Sequence, residues 1–160
     1  MTAAYVGLGS NLDEPRAQLE RAFAELAALP QSRLVARSPL YRSAPVDAPA
    51  QPDFVNGVAE LDTQLSAPQL LEGLQAIEAR HARQRPARNA PRTLDLDLLL
   101  YDEMSLASPA LTLPHPRMHL RAFVLRPLLD LDPRAEIPGR GAARELLRAC
   151  AAQSIERLDD

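Results

Sequence analysis

Asp95 and Asp97, in the run Pro91-Arg92-Thr93-Leu94-Asp95-Leu96-Asp97, are the residues of this chain best placed to do chemistry. Residues i and i+2 of a strand share a face, roughly 7 Å apart at Cα. Leu94, Leu96, Leu98 and Leu100 take the opposite face, which must be core. Two like charges side by side on a rigid element are costly unless cations neutralise them. Hard divalent ions with oxygen ligands do that, and magnesium favours few carboxylates together with phosphates. The plainer alternative is a solvated acidic face on an edge strand.

The preceding stretch carries the complementary charge. Arg80, Arg83, Arg85, Arg88 and Arg92 are five arginines in thirteen residues, and no acidic residue lies between Glu78 and Asp95. Such a cluster faces either water or an anion. Guanidinium groups for phosphate oxygens, beside carboxylates for a metal, are the two halves of a nucleoside triphosphate site. Other patterns carry less. Gly7-Leu8-Gly9 is followed by Leu12 where a dinucleotide fingerprint needs glycine, and there is no P-loop motif, so both of those folds are excluded. His115 and His119 have i, i+4 spacing but no glutamate between them, which argues against a zinc pair. His115, between Pro114 and Pro116, reads as a rigidly held hydrogen-bond donor or as a turn histidine. Phe54, Asn56 and Phe123 read by themselves as core and turn residues.

These side chains need elements to position them. Residues 3–8 read as a buried strand, followed by a helix that starts near Asn11 or Asp13, takes Pro15 into its first turn and ends before Pro30. Its apolar face is Leu19, Ala22, Phe23 and Leu26. A second strand spans 34–42, with Pro39 marking an edge or a bulge. A proline-rich loop covers 43–53, and a third strand spans 54–61. Ser66 caps a second helix running to about Arg80, with Leu70, Leu71, Leu74 and Ile77 as its stripe. A second long loop covers 82–91, a fourth strand 93–101, and short helical pieces follow after Pro116, over 122–129 and over 142–152. The order βαββαβ plus a helical tail predicts an α+β sandwich, with helices on one face of a mostly antiparallel sheet.

Composition sets the outer bounds. The 160 residues suit one domain, 1–160, with a real core, and 46% hydrophobic content argues against disorder. A net charge of −3 and 4% aromatics give no footprint for nucleic acid or an anionic membrane. All 18 basic residues are arginine, so lysine chemistry of every kind is excluded. Cys150 is the lone cysteine, which rules out an internal disulfide framework. No apolar run approaches membrane-spanning length, and no signal sequence precedes the first strand; a soluble, cytoplasmic monomer is expected.

Four ordered motifs complete the reading: Gly9-Ser10-Asn11-Leu12; Gln51-Pro52-Asp53-Phe54-Val55-Asn56; Pro91 to Asp97; and Leu113-Pro114-His115 with Arg121-Ala122-Phe123 and Arg126-Pro127-Leu128. Together they resemble the 6-hydroxymethyl-7,8-dihydropterin pyrophosphokinases of folate biosynthesis, over nearly the whole chain. The resemblance implies a ferredoxin-like fold and transfer of the pyrophosphoryl group of ATP to the pterin's hydroxymethyl oxygen, with release of AMP. It implies that Asp95 and Asp97 hold two Mg2+ ions, that Arg83 and Arg92 clamp the phosphates, and that Arg85, Arg88 and Arg121 assist. Gln75, Leu98, Thr112 and His115 fall where the family contacts ATP. Phe54 and Phe123 would stack the pterin, while Asn56 and the backbone of Ser43, Ala44, Pro45 and Val46 would read its polar edge. Asn89 and Ala90 stand where the family often has Trp-Gly, and Ala110 and Pro116 replace an arginine and a tyrosine that touch ATP in some members. Two routes for the hydroxyl proton stay open, transfer to Asp97 or acidification by the metal alone. Two other activities would share the carboxylates: a metal-dependent phosphohydrolase and a non-catalytic nucleotide-binding module.

Overall fold

A computed structural model of the protein describes residues 1–12, 14–44, 52–82 and 94–158. Five segments build the main sheet's frame: β1 (Thr2–Ser10), β2 (Ser32–Arg37), β3 (Tyr41–Ser43), β4 (Phe54–Thr63) and β5 (Asp95–Tyr101). Helix α1 (Pro15–Ala27) follows β1, and α2 (Ala67–Ala82) follows β4. β1 lies at the centre, paired antiparallel with β4 on one side and β5 on the other. β2 and β3 share the far edge of β4, β2 along Ala59–Thr63 and β3 along Phe54–Asn56. This is the ferredoxin-like order, with β2 and β3 together filling the place of one strand.

The sequence predicts a single strand over 34–42, and the structure divides it. Pro39 has no N–H for a ladder and interrupts the pairing. Ser38 bridges the gap: its N–H donates to Val58 O at 2.9 Å, and its Oγ accepts from Val58 N–H at 2.8 Å. The chain thereby leaves β4 for Pro39 and Leu40 and rejoins it at Tyr41.

Both helices bury one stripe on the same sheet face. Leu19, Ala22, Phe23 and Leu26 of α1 and Leu70, Leu74 and Ile77 of α2 pack on Ala4, Val6, Leu8, Leu94, Leu96 and Leu98. Leu71 is only half-buried at the rim of that stripe. α2 begins with a reciprocal cap, in which Gln69 N–H donates to Ser66 Oγ at 3.3 Å and Ser66 N–H to Gln69 Oε1 at 2.9 Å. α1 begins at Pro15, preceded by Glu14 in the left-handed region (φ 58°) with no side-chain cap. Asp13 lies outside the described residues.

The tail covers the opposite face. After β5 come the hairpin β6 (Leu106–Ala107) and β7 (Thr112–Leu113), a 3-10 turn at Met118–Leu120 and helix α3 (Ala122–Leu131). A second hairpin, β8 (Glu136–Ile137) and β9 (Gly141–Ala142), leads into α4 (Ala143–Ala149) and β10 (Ile155–Arg157), which pairs with β3. Val124, Leu125, Leu128 and Leu129 of α3 pack against Val58, Leu99 and Leu100. Leu100 is a departure from the alternation, which puts it with Leu94, Leu96 and Leu98. The register of β1 against β5 shifts between Tyr5 and Val6, so Val6 faces Leu98 while Tyr5 faces Leu100. The extra residue is a β-bulge that turns Leu99 and Leu100 to the tail's side and returns Tyr101 to the helix side. Among the described residues no helix is long and apolar enough to cross a membrane.

Phe23 is the largest side chain fully buried in the helix-side core, and its ring lies 3.9 Å beneath the Arg37 guanidinium. Phe23→Ala is expected to lower the unfolding free energy by about 3–5 kcal/mol in a urea titration. A loss under about 1 kcal/mol would show that the ring does not anchor α1.

Candidate active site

On the tail's side of the sheet, β1, β4, β5, α3 and the 3-10 turn enclose a cavity of about 520 Å³. Its floor is Gly7 and Gly9 of the central strand. The register sets Gly7 directly opposite Asp97 and Gly9 directly opposite Asp95. Directly opposed residues put their side chains on one face, so each carboxylate stands beside a position that has no side chain. A Cβ added at Gly9 would come within 3.2 Å of Asn56 Oδ1. The two glycines, which fail as a nucleotide-binding fingerprint, thus keep the floor low and the carboxylates reachable.

Asp95 and Asp97 are both partly exposed toward this cavity, as their i, i+2 spacing predicts. Between them the Leu96 N–H points to the outer edge of β5 and donates to Glu78 Oε2 of α2 at 2.9 Å. The segment after β7 runs along the same edge, held by the His115 N–H to Leu99 O at 2.9 Å, next to the cis peptide Leu113–Pro114. It brings His115 Nε2 to 4.0 Å from Asp97 Oδ1. His115 Nδ1 accepts the Arg117 N–H at 3.1 Å, so the neutral ring carries its proton on Nε2, the nitrogen that faces Asp97. Burial pulls the pKa of His115 below the ordinary histidine range. Asp97 works against that shift, while Arg121 and Arg117 reinforce it.

Among the described residues no group of three or more His, Cys, Asp or Glu side chains is placed to hold a metal ion. An ion at Asp95 and Asp97 would therefore take two carboxylates and fill its shell with water and ligand oxygens. That donor set fits magnesium with a phosphate ligand.

The opposite wall is aromatic and amide. Phe54 begins β4, and Phe123 stands in the first turn of α3. Behind them Asn56 Nδ2 donates to Ser43 Oγ at 2.7 Å, with both residues buried. The Arg121 guanidinium lies 5.6 Å from the centre of the Phe123 ring, within cation–π range. A strut fixes α3 against the sheet. Tyr41, paired with Asn56 across the β3–β4 ladder, donates its phenol proton to the Asp130 carboxylate, which Arg126 also holds at 3.2 Å. Burial, reinforced by Asp130, pushes the Tyr41 phenol up to about 12, so it remains a donor at any physiological pH.

The structure thus brings Ser43, Ala44, Phe54, Asn56, Asp95, Asp97, Arg121 and Phe123 to one cavity. Thr112 and His115 line a neighbouring cavity of about 500 Å³, walled by Pro114, Pro116, Pro138 and Arg140. Gln75 is exposed on α2, and the Leu98 side chain is in the helix-side core, so Leu98 can offer a ligand only its backbone groups. Arg83, Arg85, Arg88, Arg92, Pro45 and Val46 lie outside the described residues, as do Asn89 and Ala90. Further lining residues escape the sequence reading, among them Arg117, Leu120 and Gln153. The first two lie between His115 and Arg121 and could have been found from that flanking; Gln153 gives no sequence signal.

Residues 5–133 match the sequence model of a family described as 7,8-dihydro-6-hydroxymethylpterin-pyrophosphokinase. The chain is 53% identical over 154 residues to the 2-amino-4-hydroxy-6-hydroxymethyldihydropteridine pyrophosphokinase of Pseudomonas aeruginosa, covering 96% of this chain and 95% of that one. Identity to the enzyme of the same name from Haemophilus influenzae is 40% over 159 residues, covering 99% of each. Among solved structures, wild-type Plasmodium falciparum HPPK-DHPS with SDX-DHP superposes with a TM-score of 0.70 at 14% identity, over 95% of this chain and 44% of that one. An HPPK-DHPS in complex with substrates gives 0.72 at 11% identity, over 92% and 43%. At such identities the likeness is one of fold, and the chain spans less than half the length of those structures.

Replacing Tyr41 by Phe removes one of the two groups that hold Asp130. The unfolding free energy is expected to fall by about 1–2 kcal/mol in a denaturant titration. An unchanged midpoint would mean that the phenol does not brace α3.

Proposed function

The chain belongs to the 7,8-dihydro-6-hydroxymethylpterin-pyrophosphokinase family, and we propose that it moves the pyrophosphoryl group of ATP onto the hydroxymethyl oxygen of 6-hydroxymethyl-7,8-dihydropterin with Asp95 and Asp97 holding two Mg2+ ions. One observation carries the reading of the site: paired carboxylates and an aromatic slot with a buried amide–hydroxyl pair open into a single cavity. A flat, polar-edged heterocycle fits the slot, and a magnesium-bound polyphosphate fits the carboxylates.

Phe54 and Phe123 offer ring faces for stacking. Asn56, steadied through its Nδ2 by Ser43, leaves its Oδ1 turned toward the Gly9 side of the cavity, where it can accept from the heterocycle's N–H edge. The hydroxymethyl arm then extends along the glycine floor toward Asp95 and Asp97. Holding the hydroxymethyl arm and the polyphosphate side by side over the glycine floor removes much of the entropic barrier to their meeting. The oxygen–β-phosphorus bond forms as the bond from β-phosphorus to the α,β-bridging oxygen breaks, AMP leaves, and the hydroxyl proton passes to Asp97 or, if the metal alone acidifies the hydroxyl, to water. The magnesium ions, when bound, supply charge neutralisation on the phosphate oxygens. Arg121 adds fixed positive charge from the slot side. Arg83, Arg85, Arg88 and Arg92 are assigned to the phosphates on the strength of their cluster beside Asp95. Thr112 and His115, with Gln75 and the Leu98 backbone, are assigned to the nucleotide. The whole of 1–160 is read as one catalytic domain, acting as a monomer in the cytoplasm.

Incubating the protein with ATP, magnesium and the reduced hydroxymethylpterin should yield AMP and pterin diphosphate in equal amounts. Phosphate released without the pterin would point instead to a phosphohydrolase. Asp97→Ala is expected to cut AMP formation about a thousandfold, or ~4 kcal/mol of transition-state stabilisation. Near-normal AMP from that variant would overturn the metal role of the pair.

A further inference from the structure

The geometry points to Gln153 as a positioning residue for Arg121: its side-chain amide clips the two peptide groups on either side of Arg121 and so sets where that guanidinium enters the cavity. The inference rests on the function proposed above. Gln153 Oε1 accepts the Ala122 N–H at 2.9 Å, and Gln153 Nε2 donates to Leu120 O at 2.7 Å. Arg121 itself is extended, with φ −122° and ψ 109°. In an extended residue the preceding carbonyl and the following N–H point to the same side, where a neighbouring strand would pair with both. Here one amide side chain takes that strand's place.

Three observations give the clip consequence. Arg121 precedes α3 as its cap residue and makes no side-chain cap bond, so the Ala122 N–H is one of the donors that a helix start leaves unpaired. Gln153 satisfies it from another part of the chain. Among the described residues no carboxylate pairs with Arg121, and its guanidinium lies within cation–π range of the Phe123 ring. Its direction therefore depends on its backbone more than that of an ion-paired arginine does. Gln153 is also anchored on its own side: its N–H donates to Cys150 O at 2.9 Å, and two residues later Ile155 pairs with Ser43 on β3. The tail thus ties the Arg121–Phe123 wall to the Ser43–Asn56 wall. Gln153 stands beyond residue 133, where the family match ends.

The test is a double-mutant cycle with Gln153→Ala, Arg121→Ala and the two combined. Each variant is read as kcat/KM for AMP formation and as calorimetric affinity for a non-hydrolysable ATP analogue with magnesium. Gln153→Ala should lower kcat/KM roughly tenfold in the native background and less than twofold once Arg121 is gone. Gln153→Glu, which keeps the acceptor for Ala122 but turns a carboxylate toward Leu120 O, should fall between the native protein and Gln153→Ala. It also supplies the cycle if the alanine variant does not fold. The same factor of loss with and without Arg121, or less than a twofold loss in the native background, would overturn the assignment. Absence of AMP from the native protein would sink the proposed function instead, and the cycle would still be legible in the calorimetric affinities.

Discussion

The pairing of β1 with β5 is the constraint from which the site follows. Two carboxylates at i and i+2 are useful only if the strand beside them leaves room for what they bind. The register that sets glycines at 7 and 9 across from Asp97 and Asp95 provides the room. Slipping it by one residue would place Leu8 and Val6 beside the carboxylates and turn the glycines into the helix-side core. The apolar packing of Ala4, Val6 and Leu8 under both helices makes such a slip costly. The core on one face thus enforces the site on the other.

The bulge completes that division. Before it, β5 gives its odd residues to the cavity and its even residues to the helices. After it, Leu99 and Leu100 both serve as the seat of α3. α3 must be seated firmly because it carries Phe123 at its first turn, and Arg121 just ahead of it. Tyr41 and Asp130 hold its far end, and Gln153 holds its start. A wall of the cavity that is not part of the sheet is thereby tied down at both ends.

Local patterns carried much of this in the sequence. The two helix stripes, the Ser66 cap and the exposure of Asp95 and Asp97 follow from periods of 3.6 and 2 within one segment. What escaped depends on pairs of segments. Leu100 changes sides because of an irregularity shared between β1 and β5, which alternation within β5 cannot report. Gly7 and Gly9 look like a failed motif until their strand partners are known. Pro39 was legible as an edge or a bulge within one strand, but the break there and its repair by Ser38 rest on Val58, twenty residues away. Gln153 meets its partners across more than thirty residues. The strands β6 to β10 are two or three residues long, too short for any periodicity.

The treatment of the sheet's margins has a consequence for how copies of the chain behave toward one another. An open strand edge is a template on which a second molecule can add a strand. On one flank β10 lies along β3, and Leu158 N–H reaches Leu40 O beyond it. On the other, Glu78 takes the Leu96 N–H, and the His115 N–H takes the Leu99 carbonyl. The stretch of margin left to β2 presents the charged side chains of Arg33 and Arg37. The same contacts that hold the carboxylate strand and the slot in place therefore also occupy strand edges on which a second copy could otherwise add a strand.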